Sequence, residues 1–153
     1  MQKLAALRQF VCSLGGVKAN KLDAWTENLR LRLTGKHKGN GLALFEIDYT
    51  AIIDIEDWPH GKRPVQVLFA HVIAWLSEHD CDRDDLSDKT VSATPQIHDD
   101  DSADIELSLE FRETVELVED PSGEIEAYRK RWTLKPVVID VAERFTIESS
   151  IKK

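Results

Sequence analysis

The sequence predicts an α+β fold: a largely antiparallel β-sheet with an N-terminal helix and a central helix packed on one face. Three observations carry that prediction. Leu44–Glu56 alternates apolar and polar residues with Ile52 as the sole exception, and Ile105–Val118 alternates in the same way. Gln2–Leu14 and Val65–His79 instead repeat apolar residues at helical spacing. The 153 residues contain no internal repeat and no linker. One domain over 1–153 is therefore expected, with residues from about 137 on as a C-terminal extension.

In the first helix Leu4, Leu7, Val11 and Leu14 form the apolar stripe, and Gly15-Gly16 ends it. Arg8 and Gln9 interrupt any signal-peptide core, so the segment reads as a mature helix. Leu22–Thr26 reads as a short strand. Leu29–Leu33 alternates leucine with arginine, giving one apolar and one basic face, and GKHKGNG (Gly35–Gly41) reads as a positively charged loop. The Leu44–Glu56 strand would span about 40 Å, long for a compact domain, so it either bends at a bulge or projects toward a partner.

DWPHGKRP is a predicted loop, and Pro64 suits the first turn of the second helix. DCDRDDLSDK reads as an exposed connection. Val91–Ile97 reads as a strand that Pro95 confines to an edge or bulge. After the Ile105–Val118 strand, DPSG (Asp120–Gly123) is a turn and Ile125–Thr133 the returning strand. Val137–Val141 is β-prone.

The net charge of −8 argues against general nucleic-acid binding, which relies on a basic footprint. No apolar run approaches the roughly 20 residues that cross a bilayer. Cys12 and Cys81 lie far apart, without metal-type spacing, and fit a reducing compartment. A soluble, intracellular, acidic protein is expected.

The one tempting chemical site is QIHDDDSAD, where His98, Asp99, Asp100, Asp101 and Asp104 could offer ligands to a divalent ion. No glycine shapes the run and no bidentate glutamate follows, so a solvated turn capped by its own aspartates is the favoured reading. A metal-dependent hydrolase built on it is a remote alternative. His37 and His60 fall in predicted loops, His71 and His79 lie on the second helix, and no serine or cysteine has an activating context. GKHKGNG lacks phosphate-loop spacing, and four scattered tryptophans make no stacking platform. No cofactor and no enzyme activity are expected.

Charge segregation is the remaining signal. From His98 to Glu126 twelve acidic residues face a single arginine, Arg112. Basic residues gather at Arg30, Arg32, Lys36 and Lys38 and at Arg129, Lys130 and Arg131. Solvated sheet faces produce such a pattern; so does an acidic patch that meets a basic patch on the next subunit, a heterologous contact that closes rings.

Three segments also carry a resemblance. FEIDYTAIIDIEDW followed by VQVLFAHVIAWLSEHDCD, with its Ala74-Trp75-Leu76, and the later ADIELSLEFRETVEL resemble the tail completion protein R family of contractile-tailed bacteriophages, over about Leu22 to Leu117. The resemblance implies a non-enzymatic role: finishing the tail at its head-proximal end and preparing it for head joining, in the host cytoplasm and then in the virion tail. Analogous tail terminators act as hexameric rings, which implies a ring of this chain between the tail-tube protein and a head-completion protein. DNA would pass through its lumen without specific binding, and no membrane would be involved. Within that ring Arg129, Lys130 and Arg131 are expected to meet Glu106, Glu110 and Glu113. A small acidic adaptor or inhibitory binding module is the alternative.

Overall fold

In a computed structural model describing residues 1–39 and 41–135, the chain runs α1 (Gln2–Ser13), β1 (Leu22–Lys38), β2 (Gly41–Trp58), α2 (Val65–His79), β3 (Ser92–Ile97), β4 (Ala103–Glu119), β5 (Ile125–Ala127) and β6 (Lys130–Leu134). The six strands form one antiparallel sheet in the order β1-β2-β4-β6-β5, with β3 pairing β4. The α+β class and the helices on one face are as predicted.

The alternation in β2 and β4 builds the core. Tyr49, Ala51, Ile53 and Ile55 of β2 lie directly opposite Phe111, Leu109, Leu107 and Ile105 of β4, and all eight are buried. Leu4, Leu7 and Val11 of α1 and Leu68, Val72, Trp75 and Leu76 of α2 cover this face. Each large side chain so buried stabilises the fold by about 1.5–3 kcal/mol. On the opposite face Ile52, the exception to the alternation, is buried opposite the half-exposed Trp25.

β1 differs from the prediction. Leu22–Thr26, Leu29–Leu33 and most of the supposed Gly35–Gly41 loop form a single strand that runs to Lys38, and β2 begins at Gly41. Two bulges allow it. The register shifts between Glu27 and Arg30 and between Leu33 and Lys36, where Asn28 has φ +54° and Gly35 φ +60°. Glycine there marks a bulge in a strand, not its end. β2 is bulged near each end too, so the long strand bends, and its Gly41 end runs past the helix-covered core to a second cluster that holds Leu42.

The predicted Ile125–Thr133 strand is two. Tyr128 and Arg129 take φ +54° and +63° and turn the chain between Ala127 and Lys130, so β5 and β6 form a hairpin of their own. Only Trp132, Thr133 and Leu134 pair with β4. Trp132 joins Leu42 and Leu117 in a second small core under the projecting end, and its Nε1 donates to Ala127 O at 2.7 Å. The DPSG turn needs its glycine, because a Cβ on Gly123 would lie 2.2 Å from Trp132 O. Val137–Val141 lies outside the described residues. Among the described residues no helix is long and apolar enough to cross a membrane.

Candidate assembly surfaces

The aspartate-rich segment is the turn between β3 and β4. Asp99 Oδ1 accepts the backbone N–H groups of Asp101 and Ser102, each at 2.8 Å. These bonds hold the Asp99 carboxyl below the usual carboxylate range. Asp104 accepts from His98 Nε2 at 2.8 Å and from the Asp57 N–H at 3.1 Å, and the ion pair raises the His98 pKa while lowering that of Asp104. The loop after β2 packs closely on the turn: His60 Nε2 lies 2.7 Å from Asp99 O, and a Cβ on Gly61 would lie 2.6 Å from Asp100 O. The cluster thus ties a β-hairpin to a loop. Among the described residues no group of three His, Cys, Asp or Glu is placed to hold a metal ion.

The basic trio sits on the β5–β6 hairpin. Arg129 occupies the turn, exposed and without an ion-pair partner among the described residues. Lys130 pairs with Glu119 at 3.3 Å, and Arg131 pairs with Glu126 at 3.0 Å while donating to Gly123 O at 2.9 Å.

The three glutamates set against this trio are divided by the sheet. Glu106 and Glu110 lie on the face away from the helices, whereas Glu113 keeps the phase of Leu109 and Phe111 and points to the helix side. Glu106 is exposed. Glu110 accepts from Thr50 Oγ1 at 2.6 Å and pairs with Arg30 at 2.9 Å. Glu113 caps α1: its two oxygens accept the N–H groups of Gln2 at 3.1 Å and Lys3 at 2.8 Å, and it accepts the Tyr49 hydroxyl. A carboxylate at a helix N-terminus satisfies orphan donors and complements the dipole. Burial, reinforced by the Glu113 carboxylate, drives the Tyr49 pKa far above its ordinary value.

Lys3 completes this anchor. Its Nζ contacts Asp80 Oδ1 at 2.6 Å, Asp82 Oδ2 at 2.9 Å and Arg112 O at 2.7 Å, and Arg83 binds Asp80 Oδ2 at 3.1 Å. Burial works against the ammonium, but its bonds to Asp80 and Asp82 outweigh that and raise its pKa.

The face away from the helices is graded in charge. At one end Asp23, Asp54 and Glu106 stand directly opposite one another across β1, β2 and β4. Partial burial, then Glu106, Asp104 and Asp23, push the Asp54 pKa up. Further along, Asp48 lies between arginines, 2.8 Å from Arg112 Nε and 3.2 Å from Arg32 Nη1. The Arg112 bonds, with Arg32 adding to them against the opposing effect of burial, hold its carboxyl below the usual range. Asp23 and Asp54 join the acidic patch only through strand register, a signal absent from the local sequence.

Comparison with known proteins places the chain in a family. A model of the family P2 phage tail completion protein R (GpR) matches residues 1–136. A protein of Haemophilus phage HP1 (strain HP1c1), described as "Uncharacterized 19.2 kDa protein in rep-hol intergenic region", is 26% identical over 125 residues, covering 81% of this chain and 75% of the relative. No solved structure matches. With a curled antiparallel sheet and a family match that runs from α1 to the end of β6, the chain belongs to the P2 phage tail completion protein R family, a family of structural phage tail proteins.

Proposed function

We propose that this chain, as a single domain with an extension from about position 137, caps the head-proximal end of a contractile tail tube and prepares it for head joining. The observation that carries the proposal is the family match over residues 1–136. Copies assemble in the host cytoplasm into a ring, of six subunits by analogy with other tail terminators, and remain in the virion tail. One ring face meets the tail-tube protein and the other a head-completion protein. The work is done by surfaces fitting together, without catalysis or a cofactor. An acidic lumen suits DNA passage, since like charge keeps the duplex from sticking.

Subunits pack head to tail, and charge directs them. The basic turn of Arg129, Lys130 and Arg131 on one copy meets the acidic face of Glu106 and Glu110 on the next. Asp23 and Asp54 extend that receiving face, because three opposed carboxylates gain from an incoming cation. Glu113 contributes through the α1 position that it fixes. The isolated chain is monomeric at low concentration, and a tube supplies the template on which the ring forms.

The test is a chain with Arg129→Glu, Lys130→Glu and Arg131→Glu, supplied to a phage lacking its own copy. The expected result is a folded monomer by circular dichroism that leaves tails uncapped and unjoined to heads. Normal tails from this variant would refute the charge pairing. Normal tails with no copy of the chain at all would refute the tail-completion role.

A further inference from the structure

The sheet has two lateral edges, and both carry apolar surface on the helix side. At one edge, among the described residues, β1 is paired only on its β2 side, and Leu29, Leu31 and Leu33 are 46%, 68% and 79% exposed. Leu31 lies opposite Ile47 and Leu33 opposite Phe45, so both share the face on which the helices pack but stay uncovered. Three consecutive outward leucines on a free strand edge are a surface that monomers avoid.

At the other edge, Phe69, Val72 and Ile73 of α2 and Val91, Ala93 and Leu107 of the β3–β4 hairpin line an apolar groove of about 240 Å³. Ile73 is 49% exposed there. A neighbouring hollow shares Ile73 and Val91 and is bordered by Asp80, Arg83, Asp84 and Lys89. β3, which flanks the groove, is exposed along its whole length.

We infer that the leucine edge of one copy seats in the α2–β3 groove of the next copy. The inference rests on the ring reading and supplies the apolar contact that such a ring needs. Topology and charge identify the occupant. β1, β2, β4 and β3 are successively antiparallel, so a neighbour displaced sideways without inversion presents its β1 antiparallel to β3. Three residues beyond Leu33, Lys36 is exposed and has no ion-pair partner among the described residues. Beside the groove, Asp84 has its side chain 94% exposed although it pairs with Lys89 at 3.4 Å, and Asp88, three residues before Val91, is exposed without an ion-pair partner among the described residues. Basic residues thus follow the leucines, and acidic residues follow the groove.

The competing self-contact fits worse. Two leucine edges paired about Leu31 would set Arg30 opposite Arg32 and leave the groove empty. The heterologous contact also has a geometric consequence. Leu31, the middle leucine, lies level with Glu113 of β4 while the groove lies level with Leu107, and those six residues impose a stagger of roughly 20 Å along the strands. The strands must therefore incline to the ring axis.

Cysteine pairing tests the contact in a full-length chain carrying Cys12→Ala and Cys81→Ser, with folding checked by circular dichroism. One version carries Leu31→Cys and another Ile73→Cys; they are oxidised at high concentration separately and mixed. The expected result is a covalent dimer in the mixture, little in either alone, and its loss when Leu29→Asp and Leu33→Asp are added to the Leu31→Cys chain. No dimer in the mixture, or an equal dimer from Leu31→Cys alone, overturns the inference. So does a Leu31→Cys chain that joins the tail-tube protein instead of Ile73→Cys in assembled tails. Failure of the ring reading looks different. A chain with both cysteines would then give open ladders while the mixed dimer persists, whereas normal rings from Leu29→Asp/Leu33→Asp would overturn the leucine contact and leave the ring intact.

Discussion

Replacing Asp54 with asparagine is expected to stabilise the isolated protein. Asp54 stands directly opposite both Asp23 and Glu106. The nearest lysine, Lys21, is turned toward Glu56 at 3.8 Å and Asp57 at 3.3 Å. Two like charges about 6 Å apart repel by about 0.7 kcal/mol in water. Screening over a Debye length of about 8 Å at physiological salt halves this, so two neighbours cost about 0.7 kcal/mol together. Removing the central charge should shift the folding equilibrium about threefold, measurable by urea denaturation at pH 7. The sign with pH follows from the raised Asp54 pKa: its contribution is favourable below the ordinary carboxyl range and is lost as pH rises through the folded value. The advantage of Asp54→Asn should therefore disappear in acid, and it should shrink to about 0.2 kcal/mol in 1 M salt. An asparagine variant that is less stable at pH 7, or whose gain ignores both pH and salt, would refute the repulsion. Because the same repulsion attracts the basic turn of a neighbour, Asp54→Asn should also weaken assembly while strengthening the monomer.

Three further outcomes are expected. Glu113→Gln should cost about 2 kcal/mol, since it removes the charge from a cap that serves two helix N–H groups and the Tyr49 hydroxyl; hydrogen exchange would show α1 opening ahead of the sheet, and protection unchanged in α1 would contradict this. Asp48, held below the usual range by Arg112 and Arg32, stabilises the fold above its unfolded pKa of about 4 and loses that contribution as pH falls through the folded value. Asp48→Asn should accordingly be less stable at neutral pH yet show a shallower acid limb in denaturation; parallel limbs would refute the pairing. Gly61→Ala should lower the melting temperature by several degrees, because its Cβ would meet Asp100 O at 2.6 Å and separate the β2–α2 loop from the β3–β4 turn; an unchanged melt would show that the loop moves freely.

Much of the architecture was legible because burial imposes a period. Tyr49–Ile55 and Ile105–Phe111 alternate as strands packed on one face must, and the apolar stripes of α1 and α2 follow helical spacing. The breaks were harder to see. Gly35 reads as a loop residue, yet it sits in a bulge within a continuous strand. Tyr128 and Arg129 make a left-handed turn without the glycine or asparagine that announces one. The face of Glu113 could have been counted from Phe111, but its partners at Gln2 and Lys3 lie more than a hundred residues away in sequence. The leucine–arginine alternation at Leu29–Leu33 was visible as well. That no helix among the described residues covers the leucines depends on where β1 falls in the sheet, which local sequence does not encode.

Electron cryomicroscopy of tails purified from a phage carrying this chain is the most direct test of its role. A density ring at the head-proximal tip of the tube should accept repeated copies of the α1–β6 fold, side by side, and should vanish when the gene is deleted. Tails of regular length with an unchanged tip in the deletion, or the fold found only at the distal end, would contradict it.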